Sequence, residues 1–142
     1  MKEELYHYKV ERTERGWERP LWVSAEIAKR VEELAERLQK VVDEFNKNTT
    51  RFKAHLELRY CKPTICEDTR AFYDTNVYER ESGEQVATIT YEWNMTTNVK
   101  TLVYVLADTD EHLTRLEDVL SILFLASKLA KEFYGSDGVV EP

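Results

Sequence analysis

Between Ile27 and Phe45 the apolar residues Ile27, Val31, Leu34, Leu38, Val41 and Phe45 recur at spacings of four, three, four, three and four. At 3.6 residues per turn these positions form one stripe, so the spacing predicts an amphipathic helix from about Ala25 to Phe45. Ser24 is placed to cap it, because its hydroxyl can accept from the unpaired donors of the first turn, and Glu26 suits the positive end of the helix dipole. Glu33 with Arg37 and Glu36 with Lys40 stand four apart on the polar side and are expected to pair there. Buried large side chains are worth roughly 1.5 to 3 kcal/mol each, so the stripe supplies on the order of 10 kcal/mol before chain entropy opposes it. Such a ridge needs a layer to lie on.

Segments of period two supply that layer. Tyr6, Tyr8 and Val10 alternate with His7, Lys9 and Glu11, and Phe52, Ala54, Leu56, Leu58 and Tyr60 alternate with Lys53, His55, Glu57 and Arg59. Alternation of this kind predicts half-buried strands. Segments 70–80 and 85–94 flank Glu81-Ser82-Gly83-Glu84, where glycine supplies the positive φ of a hairpin turn, and Asn94 to Asn98 turns into a last strand from Val99 to Ala107. Asp108-Thr109-Asp110-Glu111 has the pattern of a capping box, opening a helix that runs to Tyr134 and stops at Gly135. The predicted class is α+β: an antiparallel sheet of about five strands in β-α-β-β-β-β-α order, packed against a long amphipathic helix, plus a C-terminal helix. Residues 1–135 are expected to form one domain and 136–142 a flexible tail.

The apolar residues of the last helix, among them Leu116, Leu120, Leu123, Phe124, Leu125, Leu129 and Phe133, cover more than one face. A helix apolar on two sides is expected to be covered twice, either between its sheet and the first helix or between the sheet and a second copy, and a homodimer is predicted.

Composition narrows the function. At 142 residues, with 42% apolar and 33% charged positions, the chain has the make-up of a globular domain with one core. Its longest apolar run lies between Asp118 and Lys128, short of the roughly 20 residues a membrane span needs. The first five residues lack a basic and then apolar stretch, so a cytoplasmic location is expected. Residues 108–142 carry 3 basic and 8 acidic groups, a balance of −5 within the total of −7. An acidic chain without a basic stripe is not expected to grip a phosphate backbone, and nucleic acid is set aside as a partner.

Around Leu58-Arg59-Tyr60-Cys61-Lys62-Pro63 and Glu67-Asp68-Thr69 the chain resembles the hot-dog fold, the family of acyl-thioester hydrolases and dehydratases in which a sheet wraps a central helix. Members carry an aromatic-x-Lys/Arg-Pro turn and a Gly-Asp pair at this point, and here Glu67 stands in place of the glycine. The resemblance implies a pocket for an acyl thioester, with Glu18 or Glu26 as acid or base. The family's catalytic motif near the start of the central helix is absent, and fold likeness does not carry activity with it.

Three groups of residues are candidates for a site. Arg12, Arg15 and Arg19 interleave with Trp17 and Trp22 in a loop, an arrangement suited to stacking on a flat ligand or anchoring in a partner's pocket. The alternative seats both tryptophans in the core. His55, Glu57 and Arg59 project from one strand face, where a carboxylate between histidine and arginine could do acid-base work or grip an anion. Asp108, Asp110, Glu111 and His112 gather metal-ligand atoms, but first-turn carboxylates stabilise a helix without a metal. Cys61 and Cys66 lack a second ligand pair, so no zinc site is expected; free thiols are the default, and a disulfide is the alternative in a hyperthermophile. No nucleotide loop or nucleophile triad has usable spacing, and no cofactor is predicted. The sequence therefore points to a non-catalytic binding or protein-interaction domain, with a protein or small molecule as partner.

Overall fold

The computed structural model describes residues 7–66, 68–107 and 116–135. In chain order the elements are β1 (His7–Val10), β2 (Arg12–Thr13), β3 (Gly16–Trp17), α1 (Ala25–Asn48), β4 (Phe52–Cys61), α2 (Pro63–Cys66), β5 (Arg70–Glu79), β6 (Gln85–Asn94), β7 (Val99–Ala107) and α3 (Leu116–Tyr134). Five strands form one antiparallel sheet in the order β1-β4-β5-β6-β7, so the α+β class and element order follow the sequence pattern. What the alternation missed is β2–β3, a short hairpin within the segment read as a loop, where Gly16 has a φ of +106° that suits glycine. The capping box, the Asp108–His112 cluster, Glu67 and the tail lie outside the described residues.

Helix α1 begins where Ser24 caps it, the Ile27 N–H donating to the serine hydroxyl at 3.2 Å, and runs three residues past Phe45 to Asn48. Its buried line is Ala28, Val31, Leu34, Ala35, Leu38 and Val42. Ile27, Val41 and Phe45 are only partly buried. The buried line is thus rotated from the expected stripe, with Ala28, Ala35 and Val42 buried and Ile27, Val41 and Phe45 packed against the core from its flank. The polar side also pairs differently. Glu36 binds Arg12 and Trp17 instead of Lys40, and Arg37 reaches Glu132 at 3.9 Å instead of Glu33.

Both long helices lie on one face of the sheet, α1 against β4 and β5, α3 against β6, β7 and α1. The register puts Leu58, Tyr73 and Tyr91 in one row on that face. Phe133 of α3 packs on this row, its ring centre 5.7 Å from Tyr73 and 4.8 Å from Tyr91. The buried Tyr73 hydroxyl donates to the Val31 carbonyl at 3.0 Å, tying sheet to helix. Gly135, at φ +80°, ends α3 as its position suggested. Among the described residues no helix is long and apolar enough to cross a membrane.

Cys61 and Cys66 are joined in a disulfide across α2, with Cα atoms 6.2 Å apart. This replaces the default expectation of free thiols. The four-residue helix brings the two sulfurs together within one turn of β4's end.

Candidate functional site

The Trp–Arg loop divides in two. The β2–β3 hairpin folds down on α1, where the Glu36 carboxylate accepts from Arg12 Nε and Nη2, each at 3.0 Å, and from Trp17 Nε1 at 3.0 Å. Trp17 is 7% exposed and belongs to the core. Trp22 is 40% exposed, and its ring meets Tyr60 edge-on at 6.2 Å, next to the fully exposed Leu21. Arg19 donates to the Val23 carbonyl, and Arg15 is exposed in the hairpin turn. The loop is therefore not one tryptophan–arginine surface: Trp17 and Arg12 hold structure, while Trp22 and Leu21 face water.

Beneath Trp22, the Tyr60 side chain is buried and its hydroxyl has no hydrogen-bond partner among the described residues. Burial pushes this phenol well above its ordinary pKa. Burial likewise raises the carboxyl of Glu32, with Arg19 pulling it back down.

On the face of the sheet away from the helices, the expected His55–Glu57–Arg59 constellation is rearranged. Arg59 does not hold Glu57. Its Nε donates to Asp74 Oδ2 at 2.6 Å and its Nη2 to Oδ1 at 3.4 Å. Its Nη1 lies 2.9 Å from Nδ1 of His7, not of His55. Thr90 adds a hydrogen bond to Asp74 Oδ1 at 2.8 Å, and the guanidinium lies 4.3 Å over the Phe72 ring. Asp74 is 8% exposed and Thr90 1%, so a buried charge is matched by its partners here. The physical reason is register: β5 sets Asp74 beside Glu57, two residue pairs from Arg59 and so next to it on the same face, and this carboxylate captures the arginine. His7 and Asp74 escaped notice as a pair because they are far apart in sequence. An aspartate inside a strand, where that residue is disfavoured, was the available signal.

The structure does bring the two candidate groups together at one place. A cavity of about 260 Å3 is lined by Lys9, Glu11, Arg12, Trp17, His55 and Glu57, with Val10, Gln39 and Leu56 completing it. It lies where β1 leaves β4: the ladder ends at the pair Val10–Leu58. Continuing it would set Glu11 directly opposite Glu57, a like-charge pair that disfavours pairing. Instead the chain turns into the β2–β3 hairpin, closed by Glu18 N–H donating to the Glu11 carbonyl at 3.1 Å.

The remainder of that β4 edge is covered by side chains. Asn46 of α1 bonds both backbone groups of Ala54, and Arg80 Nε donates to the Phe52 carbonyl at 2.8 Å. Sequence reasoning could not see this, since nothing about an asparagine near a helix end marks it as a strand cap.

A third surface is on α3, where Leu116, Leu120, Leu123 and Phe124 are exposed. Beside them a groove of about 220 Å3 opens between Phe45 of α1 and Phe124, with Val41, Leu125 and Lys128 in its walls. The two carboxylates that a hot-dog enzyme would use, Glu18 and Glu26, are both exposed. Among the described residues no group of three or more His, Cys, Asp or Glu side chains is placed to hold a metal. No protein-family model, curated protein or solved structure matches the chain.

Proposed function

We propose that this chain is a non-catalytic protein-interaction domain that works as a homodimer, joined through α3. The observation that carries the reading is the exposure of Leu116 at 73%, Leu120 at 53%, Leu123 at 53% and Phe124 at 63% along one side of that helix. Single exposed leucines are ordinary, but four at spacings of four, three and one make a continuous apolar stripe. The opposite side of α3, Ile122, Leu125, Leu129 and Phe133, is already in the core.

A second copy fits the stripe by charge. Glu117 stands in the first turn of α3 and Lys131 in the last. Two α3 helices running antiparallel about Phe124 bring Glu117 of one copy opposite Lys131 of the other. A two-fold interface must be self-complementary in this way. The acidic balance of the chain argues for a protein or small-molecule partner rather than nucleic acid. A cytoplasmic setting belongs to the proposal, in a cytosol of the kind where disulfides persist.

Light scattering behind a sizing column tests this. The wild-type chain is expected at twice its monomer mass in the micromolar range, and Leu123→Asp at the monomer mass with its far-ultraviolet circular dichroism unchanged. A wild-type chain that stays monomeric at the highest soluble concentration overturns the reading.

A further inference from the structure

The cavity beside β4 is independent of the α3 stripe and has chemistry of its own. A strand turns the N–H and C=O of alternate residues toward the same neighbour. On the edge of β4 that faces β1, those residues are Phe52, Ala54, Leu56, Leu58 and Tyr60. Tyr60 and Leu58 stand opposite Tyr8 and Val10 in the ladder. Ala54 is held at both its backbone groups by Asn46, at 2.9 and 2.7 Å, and the Phe52 carbonyl by Arg80. Leu56 alone of the five has neither a ladder partner on that side nor a side chain bonded over it among the described residues, and Leu56 lines the cavity.

An uncovered strand position in a cavity is a place where another extended backbone can add. What accompanies that backbone is decided by the rim. Arg12 is committed to Glu36, and Arg59, next along β4, to Asp74. Glu57 has neither and lies beside Asp74 in the register, while Glu11 would face it across the gap. The remaining rim charges are these two carboxylates and Lys9, with His55 at the mouth. Between Glu11 and Glu57 an anionic side chain is repelled, whereas a guanidinium or ammonium group is attracted to both. The volume of about 260 Å3 suits one such side chain and a short stretch of its backbone.

We propose that this notch receives an extended peptide segment bearing an arginine or lysine, its backbone bonded to Leu56 and its cation held between Glu11 and Glu57. The two carboxylates set the charge of the occupant, and the open strand position sets its conformation. The wall formed by Trp17 packs against the aliphatic stem of the bound side chain.

Calorimetric titration of the whole protein with the capped tripeptides acetyl-Val-Arg-Val-amide, acetyl-Val-Gln-Val-amide and acetyl-Val-Glu-Val-amide tests the proposal. The arginine peptide is expected to bind at least about tenfold more tightly than the glutamine peptide, a difference of about 1.4 kcal/mol, with no binding of the glutamate peptide. Glu57→Gln and Glu11→Gln should each remove most of that preference, and neither residue makes a core contact whose loss would unfold the chain. Methylating the backbone nitrogens of the arginine peptide should abolish binding. Equal binding of the arginine and glutamine peptides, or an arginine peptide unaffected by either substitution, overturns the proposal. So does binding of free arginine amide as tightly as the tripeptide, because then no strand is being added. Sizing of the same samples keeps this result separate from self-association through α3.

Discussion

The side-chain amide of Asn46 takes the place of a neighbouring strand for Ala54. Asn46 Nδ2 donates to the Ala54 carbonyl at 2.9 Å, and Asn46 Oδ1 accepts from the Ala54 N–H at 2.7 Å. A primary amide has the same donor and acceptor spacing as a peptide group, so it closes one rung of a ladder that β1 is too short to reach. The helix end thereby guards the strand edge, and α1 is fixed to β4 by a polar contact as well as by its apolar line.

Removing that amide should cost more than an ordinary surface substitution. Ala54 is 2% exposed, so Asn46→Ala leaves a buried N–H and C=O unpaired, worth about 1 to 3 kcal/mol. Asn46→Asp retains the acceptor but faces the Ala54 carbonyl with a second oxygen, and it should lose as much or more. Urea unfolding of both variants measures this. A loss below about 0.5 kcal/mol in each would mean that water replaces the amide without cost.

Phe133 and Phe124 offer a contrast within one helix. Phe133 is fully buried among Tyr73, Tyr91 and Tyr134, so Phe133→Ala should destabilise the chain by about 3 to 5 kcal/mol. Phe124 is 63% exposed. Phe124→Ala should leave the unfolding of the dilute monomer within about 0.5 kcal/mol of wild type while weakening self-association. Equal losses of monomer stability in the two variants would contradict the assignment of faces on α3.

How much of this was legible in the sequence follows from the range of each interaction. Period and turn chemistry are local, so the two long helices, the five main strands, the Ser24 cap and the Gly83 and Gly135 turns could all be read from neighbours a few residues apart. Pairing between distant residues could not. Arg59 has Glu57 two positions away and takes Asp74, because only the β4–β5 register decides which carboxylate lies alongside. Glu36 has Lys40 one turn away and takes Arg12, because the β2–β3 hairpin delivers a bidentate guanidinium and an indole N–H together. The tryptophans show both outcomes, Trp17 buried in the hairpin and Trp22 half out beyond it, since tertiary placement rather than composition decides which ring faces the core.

The Cys61–Cys66 bridge closes a loop with a sequence separation of 5. On the chain-entropy account a loop this short stabilises the fold by about 2 kcal/mol. Cys66→Ser should therefore lower the melting temperature by several degrees in oxidising buffer. Dithiothreitol should lower the wild type to the same value and leave the variant unmoved. A wild-type melt that does not respond to full reduction, verified by thiol counting, would show that α2 holds its geometry without the covalent link.

Glu36 gives the fold a pH dependence of definite sign. Its carboxyl is held below the usual range, chiefly by the hydrogen bond from Arg12, with burial opposing and the Arg12 charge and Trp17 N–H assisting. A carboxylate with a lower pKa folded than unfolded adds stability above its unfolded pKa and loses it as pH falls through the folded value. The stabilisation from Glu36 is thus complete near neutrality and fades on acidification below the ordinary range of about 4 to 4.5. The Arg12 and Glu36 side chains are 48% and 41% exposed, so solvent screening limits the effect to about a few tenths of a kcal/mol. Glu36→Gln still accepts from Trp17 but has no charge to lose. Urea midpoints of wild type and variant should differ most near pH 7 and converge as pH falls from about 5 to 3. Curves that stay parallel over that interval would show that the Arg12–Glu36 pair contributes geometry to the hairpin and no net electrostatic stability.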